Sequence, residues 1–158
     1  MNRPSVTIIT DGSGTASIQN GGWAAIIHYQ HSGRVIEKII TGHIPGKVTN
    51  IVCEMSAVVA GLSALNQSCD VTLITDLKMI QGGIHTWLGN WIKRGWRKSD
   101  GKPPENVELW KQIHLLTKMH RVKVEWVKGH NHHPLNERAD KYAGMARLGQ
   151  LTNEVNYL

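Results

Sequence analysis

Two β-branched runs, Val6-Thr7-Ile8-Ile9-Thr10-Asp11 and Val71-Thr72-Leu73-Ile74-Thr75-Asp76, end in the same Thr-Asp pair. Between them Val52, Met55, Val58, Val59, Leu62 and Leu65 recur at helical spacing. A strand, a helix and a second strand make a right-handed crossover, which lays the two strands parallel in one sheet. If those strands are neighbours, Asp11 and Asp76 emerge side by side at one edge. Carboxylates converging there repel each other unless a cation sits between them or one is protonated. Burying a lone carboxylate costs several kcal/mol, so Asp11 needs a cation, a hydrogen-bond cage or a metal. Asp11-Gly12 taken alone also fits an ordinary turn, and it is the second Thr-Asp strand that favours a functional site.

The remaining elements follow from local pattern. Gly21 to Tyr29 and Arg34 to Thr41 read as strands, and their short connections predict an antiparallel meander with the first strand. Gly14 to Asn20 reads as a loop, as does Gly42 to Val48 with its Pro45-Gly46. Thr49 or Asn50 offers an N-cap for a helix running to about Asn66, with Glu54 near its start. Leu77 to Leu88 predicts a short helix, Val107 to His120 another, and Val122 to Val127 a fifth strand. Pro134 suits the first turn of a last helix holding Asn136, Glu137, Arg138 and Asp140. The tail from Leu148 to Leu158 is expected to be loosely held.

At 158 residues, 41% apolar and 19% charged, the chain is expected to form one domain with a real core, about residues 5–147. No stretch approaches the roughly 18 apolar residues of a membrane span, and no signal-peptide core precedes the first strand. The expectation is a cytoplasmic protein. Cys53 and Cys69 lack Cys-x-x-Cys spacing and read as reduced and structural. The net charge of +6 suits a polyanionic partner. Its distribution is more telling: Lys93, Arg94, Arg97, Lys98 and Lys102 share one segment with Trp87, Trp91 and Trp96. Trp91 and Trp96, flanked by cations, are expected to be partly exposed, whereas Trp110 and Trp126 are expected in the core.

The succession of strands and helices, with acids at Asp11, Glu54, Asp76 and Asp140, closely resembles type 1 ribonuclease H. The resemblance runs from about Val6 to Arg147. It rests on Thr10-Asp11-Gly12-Ser13, Gly21-Gly22, Glu54, Thr75-Asp76, Trp87-Leu88-Gly89-Asn90-Trp91 and Lys93-Arg94-Gly95-Trp96. It continues through Asn106-Val107-Glu108-Leu109-Trp110, Trp126-Val127-Lys128-Gly129-His130 and Asn136-Glu137-Arg138-Ala139-Asp140. The fold implied is a ribonuclease H-like α/β domain spanning residues 1–158. Its five-stranded mixed sheet has the first three strands antiparallel, strands 1, 4 and 5 parallel, and helices on the flanks.

The resemblance implies hydrolysis of the RNA strand of RNA–DNA hybrids by a two-metal-ion mechanism, leaving 5′-phosphate and 3′-hydroxyl ends. Asp11, Glu54, Asp76 and Asp140 would ligate two Mg²⁺ ions, with Mn²⁺ an alternative, and His130 would assist proton transfer or product release. The basic tryptophan-rich segment matches the family's grip on the DNA strand: Trp87, Asn90, Trp91, Lys93, Arg94, Trp96, Arg97 and Lys98. Thr49 and Asn106 match a DNA-phosphate pocket, and Asn50 a position near the RNA minor groove. The family suggests a monomer.

The chain departs from the family pattern at the loop after Ser13, at Ile51-Val52 and at Leu77-Lys78, all on the substrate side. Lys78 could take a backbone phosphate where a hydroxyl is usually read. Glu54 and Asp140 also fit plain helix-terminal acids, a reading that recedes beside the Asp11 and Asp76 pair. His130, His132 and His133 lack the further ligands a zinc site needs. Two other functions share the same features: a hybrid- or duplex-binding protein that cuts poorly, and a DNA-cutting nuclease of the same superfold. The intact acids oppose the first, and the basic tryptophan-rich segment opposes the second.

Overall fold

The computed structural model describes residues 3–15, 18–129 and 133–158. Its strands are β1 (Ser5–Thr15), β2 (Ile18–His31), β3 (Arg34–Lys47), β4 (Asp70–Thr75), β5 (Arg121–Trp126) and β6 (Asn153–Tyr157). Its α-helices are α1 (Asn50–Ser63), α2 (Lys78–Gly82), α3 (Leu88–Lys93), α4 (Val107–Met119) and α5 (Pro134–Arg147). The strands form one sheet in the order β5-β4-β1-β2-β3-β6. β1, β2 and β3 are an antiparallel meander, and β4 and β5 run parallel to β1, as the sequence predicts.

Period-2 burial divides the core between the two faces of the sheet. Ile8, Ala25, Ile27, Leu73 and Val124 meet Met55, Val58 and Leu62 of α1 and Trp110 and Ile113 of α4. On the other face Ile9, Ile26, Ile39 and Ile74 meet Ala139 of α5. α5 lies almost on the strand backbone, because a Cβ at Gly22 would come within 2.4 Å of the Ala143 carbonyl oxygen. Small residues on both sides permit that approach.

Three features differ from the sequence reading. The meander strands are longer: β3 continues through Lys47, so much of the expected Gly42–Val48 loop is strand. Pro45 is accommodated because β3 leaves its β2 register there, the Gly21↔Ile44 pairing being followed only by Gln19↔Lys47. The tail is not loose. β6 pairs antiparallel with β3 from Ile36↔Tyr157 to Ile40↔Asn153, making a sixth strand. Thr41 and Thr152 lock its start, the Thr152 amide donating to Thr41 Oγ1 (2.7 Å) and the Thr41 amide to the Thr152 carbonyl (3.0 Å). Its apolar residues are too few and too exposed to announce a strand by alternation. Finally, the helix expected to end at Leu88 runs on to Lys93, passing through a π-helical turn at Gly83–Trp87.

Candidate active site

Asp11 is set by β1, and Asp76 follows the end of β4. The parallel register pairs Ile9 with Ile74, so the two acids, each two residues further on, lie side by side where β4 ends, Asp11 still within β1 and paired with Ala24 of β2. Glu54 comes from the first turns of α1. Thr49 caps that helix, its Oγ1 accepting from the Val52 amide at 3.2 Å. Gly12 lets α1 press onto β1, since a Cβ there would lie 2.5 Å from the Glu54 nitrogen. Asp11, Glu54 and Asp76 each offer an oxygen within 4.8 Å of the others. Asp11 and Glu54 are 3% and 1% exposed.

The electrostatics record the crowding. Burial pushes the Asp11 carboxyl up to about 7; a hydrogen bond with Glu54 works against this, and the Asp76 and Asp140 charges reinforce it. Glu54 is driven higher still, by burial first and then by its contact with Asp11. The two carboxyls therefore hold a proton between them when no cation is present. Glu54 Oε2 is buried without a hydrogen-bond partner among the described residues. An orphaned carboxylate oxygen beside two more acids is a donor set that fits a hard divalent cation. Asp140 stands apart from this cluster. It lies on α5, exposed, and its charge is felt at Asp11.

His130 lies outside the described residues. Nearby His133 caps α5, its Nδ1 accepting from the Asn136 amide at 3.2 Å, and Pro134 begins the helix as expected. Among the expected nucleic-acid contacts, Asn50 and Lys78 are exposed at the starts of α1 and α2. Asn106 precedes α4 in a left-handed conformation (φ 57°). Trp87, 39% exposed, leans on Trp91 with ring centres 6.1 Å apart. Trp91 in turn meets buried Trp110 edge-on at 5.5 Å. Trp87, Asn90, Trp91, Arg94, Lys98 and Ser99 line an open cleft of about 330 Å³. Lys93 and Arg97 are exposed beside it, although Arg97 Nη1 donates to the Gly101 carbonyl at 2.9 Å. Trp96 is partly covered by His114 and by Lys111, whose Nζ lies 5.7 Å from its ring centre.

Trp126 is the residue the sequence misplaced. It is 40% exposed rather than core. Its Nε1 donates to the Asp76 carbonyl at 3.1 Å, and Lys78 Nζ lies over its ring at 5.5 Å. Val122 and Val124 share its side of β5 and are covered, but Trp126 ends the strand and overhangs the acidic edge. The signal available was its position: the last residue of a parallel strand lies at the functional edge.

Residues 3–147 match the RNase H family. The ribonuclease H of Serratia proteamaculans is 42% identical over 152 residues, covering 96% of this chain and 95% of that protein. Ribonuclease H of Escherichia coli is 38% identical over the same shares of the two chains. In three dimensions the chain is similar to LC9-RNase H1, a type 1 RNase H with the type 2 active-site motif. That match has a TM-score of 0.85 at 26% identity, covering all of this chain and 79% of the other. A foamy viral protease-reverse transcriptase in complex with RNA/DNA hybrid shares the fold, with a TM-score of 0.75 at 22% identity over 93% of this chain and 20% of that one. A cluster of carboxylates at the edge of this sheet defines a nucleic-acid hydrolase. The chain belongs to the RNase H family, endoribonucleases that cleave the RNA strand of RNA–DNA hybrids, and its acidic cluster fits the divalent-metal use of that family. No helix among the described residues is long and apolar enough to cross a membrane.

Proposed function

We propose that Asp11, Glu54, Asp76 and Asp140 together hold two Mg²⁺ ions, with Mn²⁺ an alternative, and that cleavage leaves 5′-phosphate and 3′-hydroxyl ends. The observation carrying this reading is the trio of carboxylate oxygens within 4.8 Å of one another, with the buried Oε2 of Glu54 unpartnered among the described residues. Divalent ions bound there supply Lewis acidity for activating water and for the charge that develops on the leaving oxygen. The residues of the chain do the rest. β1 and α1 fix Asp11 and Glu54 rigidly, which preorganises the donors before substrate arrives. Asp76 is steadied through its own carbonyl by Trp126. His130 moves protons or hastens product release.

The hybrid is gripped on its DNA strand by the cleft of Trp87, Asn90, Trp91, Arg94 and Lys98, with Lys93, Trp96 and Arg97 alongside. Cations neutralise phosphates and indoles contact sugars. Thr49 and Asn106 take a further DNA phosphate, Asn50 faces the RNA minor groove, and Lys78, held over Trp126 beside Asp76, takes a phosphate near the cut. RNA is chosen through its 2′-hydroxyls. The protein is read as a single-domain monomer of the cytoplasm: the family reading carries the monomer, and two buried free cysteines suit a reducing compartment.

The test uses labelled RNA–DNA, RNA–RNA and DNA–DNA duplexes with and without MgCl2. Cleavage of the RNA strand of the hybrid alone, dependent on Mg²⁺ and abolished in Asp11→Asn with hybrid binding retained, is expected. Near wild-type cleavage by Asp11→Asn would remove the metal-site assignment. His130→Ala should slow turnover without ending it.

A further inference from the structure

α5 rests on the sheet through a smooth floor. Ala139, Ala143 and Ala146 are fully buried, and Gly22 lies directly beneath the last turns. Leu135 and Tyr142 of α5 pack beside these alanines, and His43 Nδ1 lies 3.0 Å from the Ala146 carbonyl oxygen, so the roll of the helix is held by a few discrete contacts around a small-residue centre. Yet Asp140, exposed and outside the Asp11–Glu54–Asp76 cluster, can be turned toward the acidic centre at only one roll angle. Each helical residue advances about 100°, so Arg138 and Asp140 leave α5 about 200° apart, on opposite flanks of the Ala139 line. Asp140 takes the β1 flank, where its charge reaches Asp11.

Arg138 takes the β3 flank. Its Nη1 and Nη2 donate to Oε2 and Oε1 of Glu37 at 2.6 and 2.7 Å, fork to fork. Glu37 is 2% exposed while the Arg138 side chain is 40% exposed, so the pair is buried on the carboxylate side and reaches solvent on the other. The ring of His28 on β2 braces the same carboxylate, with Nε2 2.6 Å from Oε2. Such a forked, over-determined contact fixes a geometry as well as adding stability.

We propose that Glu37 and Arg138 are positioning residues for the reaction: their forked pair sets the roll of α5 and thereby presents Asp140 to Asp11. The inference rests on the reading of Asp140 as the fourth acid.

Two variants test it from opposite sides. Arg138→Lys keeps a cation and gives up the fork, and Glu37→Gln keeps the shape and gives up the charge. Each is compared with the wild type and with Asp140→Asn in hybrid cleavage across MgCl2 concentrations, in hybrid KM, in calorimetric MgCl2 titration of the free protein, and in thermal unfolding. Each clamp variant should need about tenfold more Mg²⁺ for half-maximal cleavage and bind it about tenfold more weakly in calorimetry, the usual scale when the support of a ligand is lost. Hybrid KM should be unchanged, and Glu37→Gln added to Asp140→Asn should cost nothing further. A lowered Tm with wild-type Mg²⁺ dependence in both clamp variants would overturn the proposal and leave the pair a structural tie. If Asp140→Asn itself keeps wild-type rate and Mg²⁺ dependence, the assignment of Asp140 is what fails, and the clamp falls with it.

Discussion

Glu54 rests on Gly12, so closely that a Cβ on the glycine would come within 2.5 Å of the Glu54 amide nitrogen and 2.7 Å of the Cys53 Cβ. The atoms it would strike are mainly backbone and the root of a buried side chain, which cannot swing aside. Gly12→Ala should therefore push α1 off β1, at a cost of about 1–3 kcal/mol, the usual scale of overpacking. Because α1 carries Glu54, cleavage should fall with stability. Thermal unfolding and hybrid cleavage on the same preparation check this, and full activity in Gly12→Ala would mean that the helix contact does not set the site.

Glu37 makes stability depend on acid. The Arg138 guanidinium beside it, aided by His28, holds its carboxyl down from 4.5 to about 2. A folded-state value below the unfolded one stabilises the protein above the unfolded value, and that stability is lost as pH falls through the folded one. In urea unfolding at pH 7 the wild type should exceed Glu37→Gln by about 1–2 kcal/mol, less than the full shift because solvent screens the half-exposed Arg138. The margin should shrink between about pH 4.5 and pH 2. A margin independent of pH over that window would mean that Glu37 contributes shape rather than charge.

Lys93, Arg94 and Lys98 lie in or beside the tryptophan cleft with exposed or half-exposed side chains. Each phosphate they neutralise adds about 0.9 to the slope of log affinity against log salt. Replacing Lys93 and Arg94 by glutamine should weaken hybrid binding at low salt and reduce that slope by about 1–2. Binding isotherms from 50 to 200 mM salt measure it, on the range over which such contacts lose most of their affinity. An unchanged slope would show that the cleft is not the handle.

Deleting residues 153–158 should uncover the outer edge of β3. Besides the β6 ladder, the truncated protein loses the hydrogen bond from the Leu158 amide to the Val35 carbonyl. The expected cost is about 1–3 kcal/mol, with greater tendency to aggregate through the bared edge. Cleavage at low temperature should be unaffected, because β6 is separated from β1 by β2 and β3. Chemical unfolding, light scattering and cleavage separate the three effects.

Legibility in the sequence followed the strength of the local pattern. The two Thr-Asp pairs are visible because the apolar run stops abruptly at an acid, and the crossover rule then sets them side by side, although β1 itself continues past Asp11 to Thr15. The helix bearing Glu54 is equally plain, with Thr49 as its cap. What escaped was decided by neighbours distant in sequence. β6 is a strand only because β3 offers it a partner, and its Val155 and Tyr157 remain exposed. Trp126 looks like core by residue type, but it is the last residue of β5 and remains 40% exposed. The forked pair of Glu37 and Arg138 joins residues 101 positions apart, and no spacing rule connects them.

The π-helical turn at Gly83–Trp87 carries a consequence for anyone altering this segment. It spends an extra residue within one turn, so every side chain beyond it is turned through roughly a further 100° relative to a regular helix. That phase is what lets Trp91 lodge against Trp110 while Asn90 and Arg94 open outward. Removing one residue from 83–87 would regularise the helix and yet dial the whole surface proposed to grip DNA away from its anchor. In this stretch, an indel of a single codon is a change of direction rather than of length.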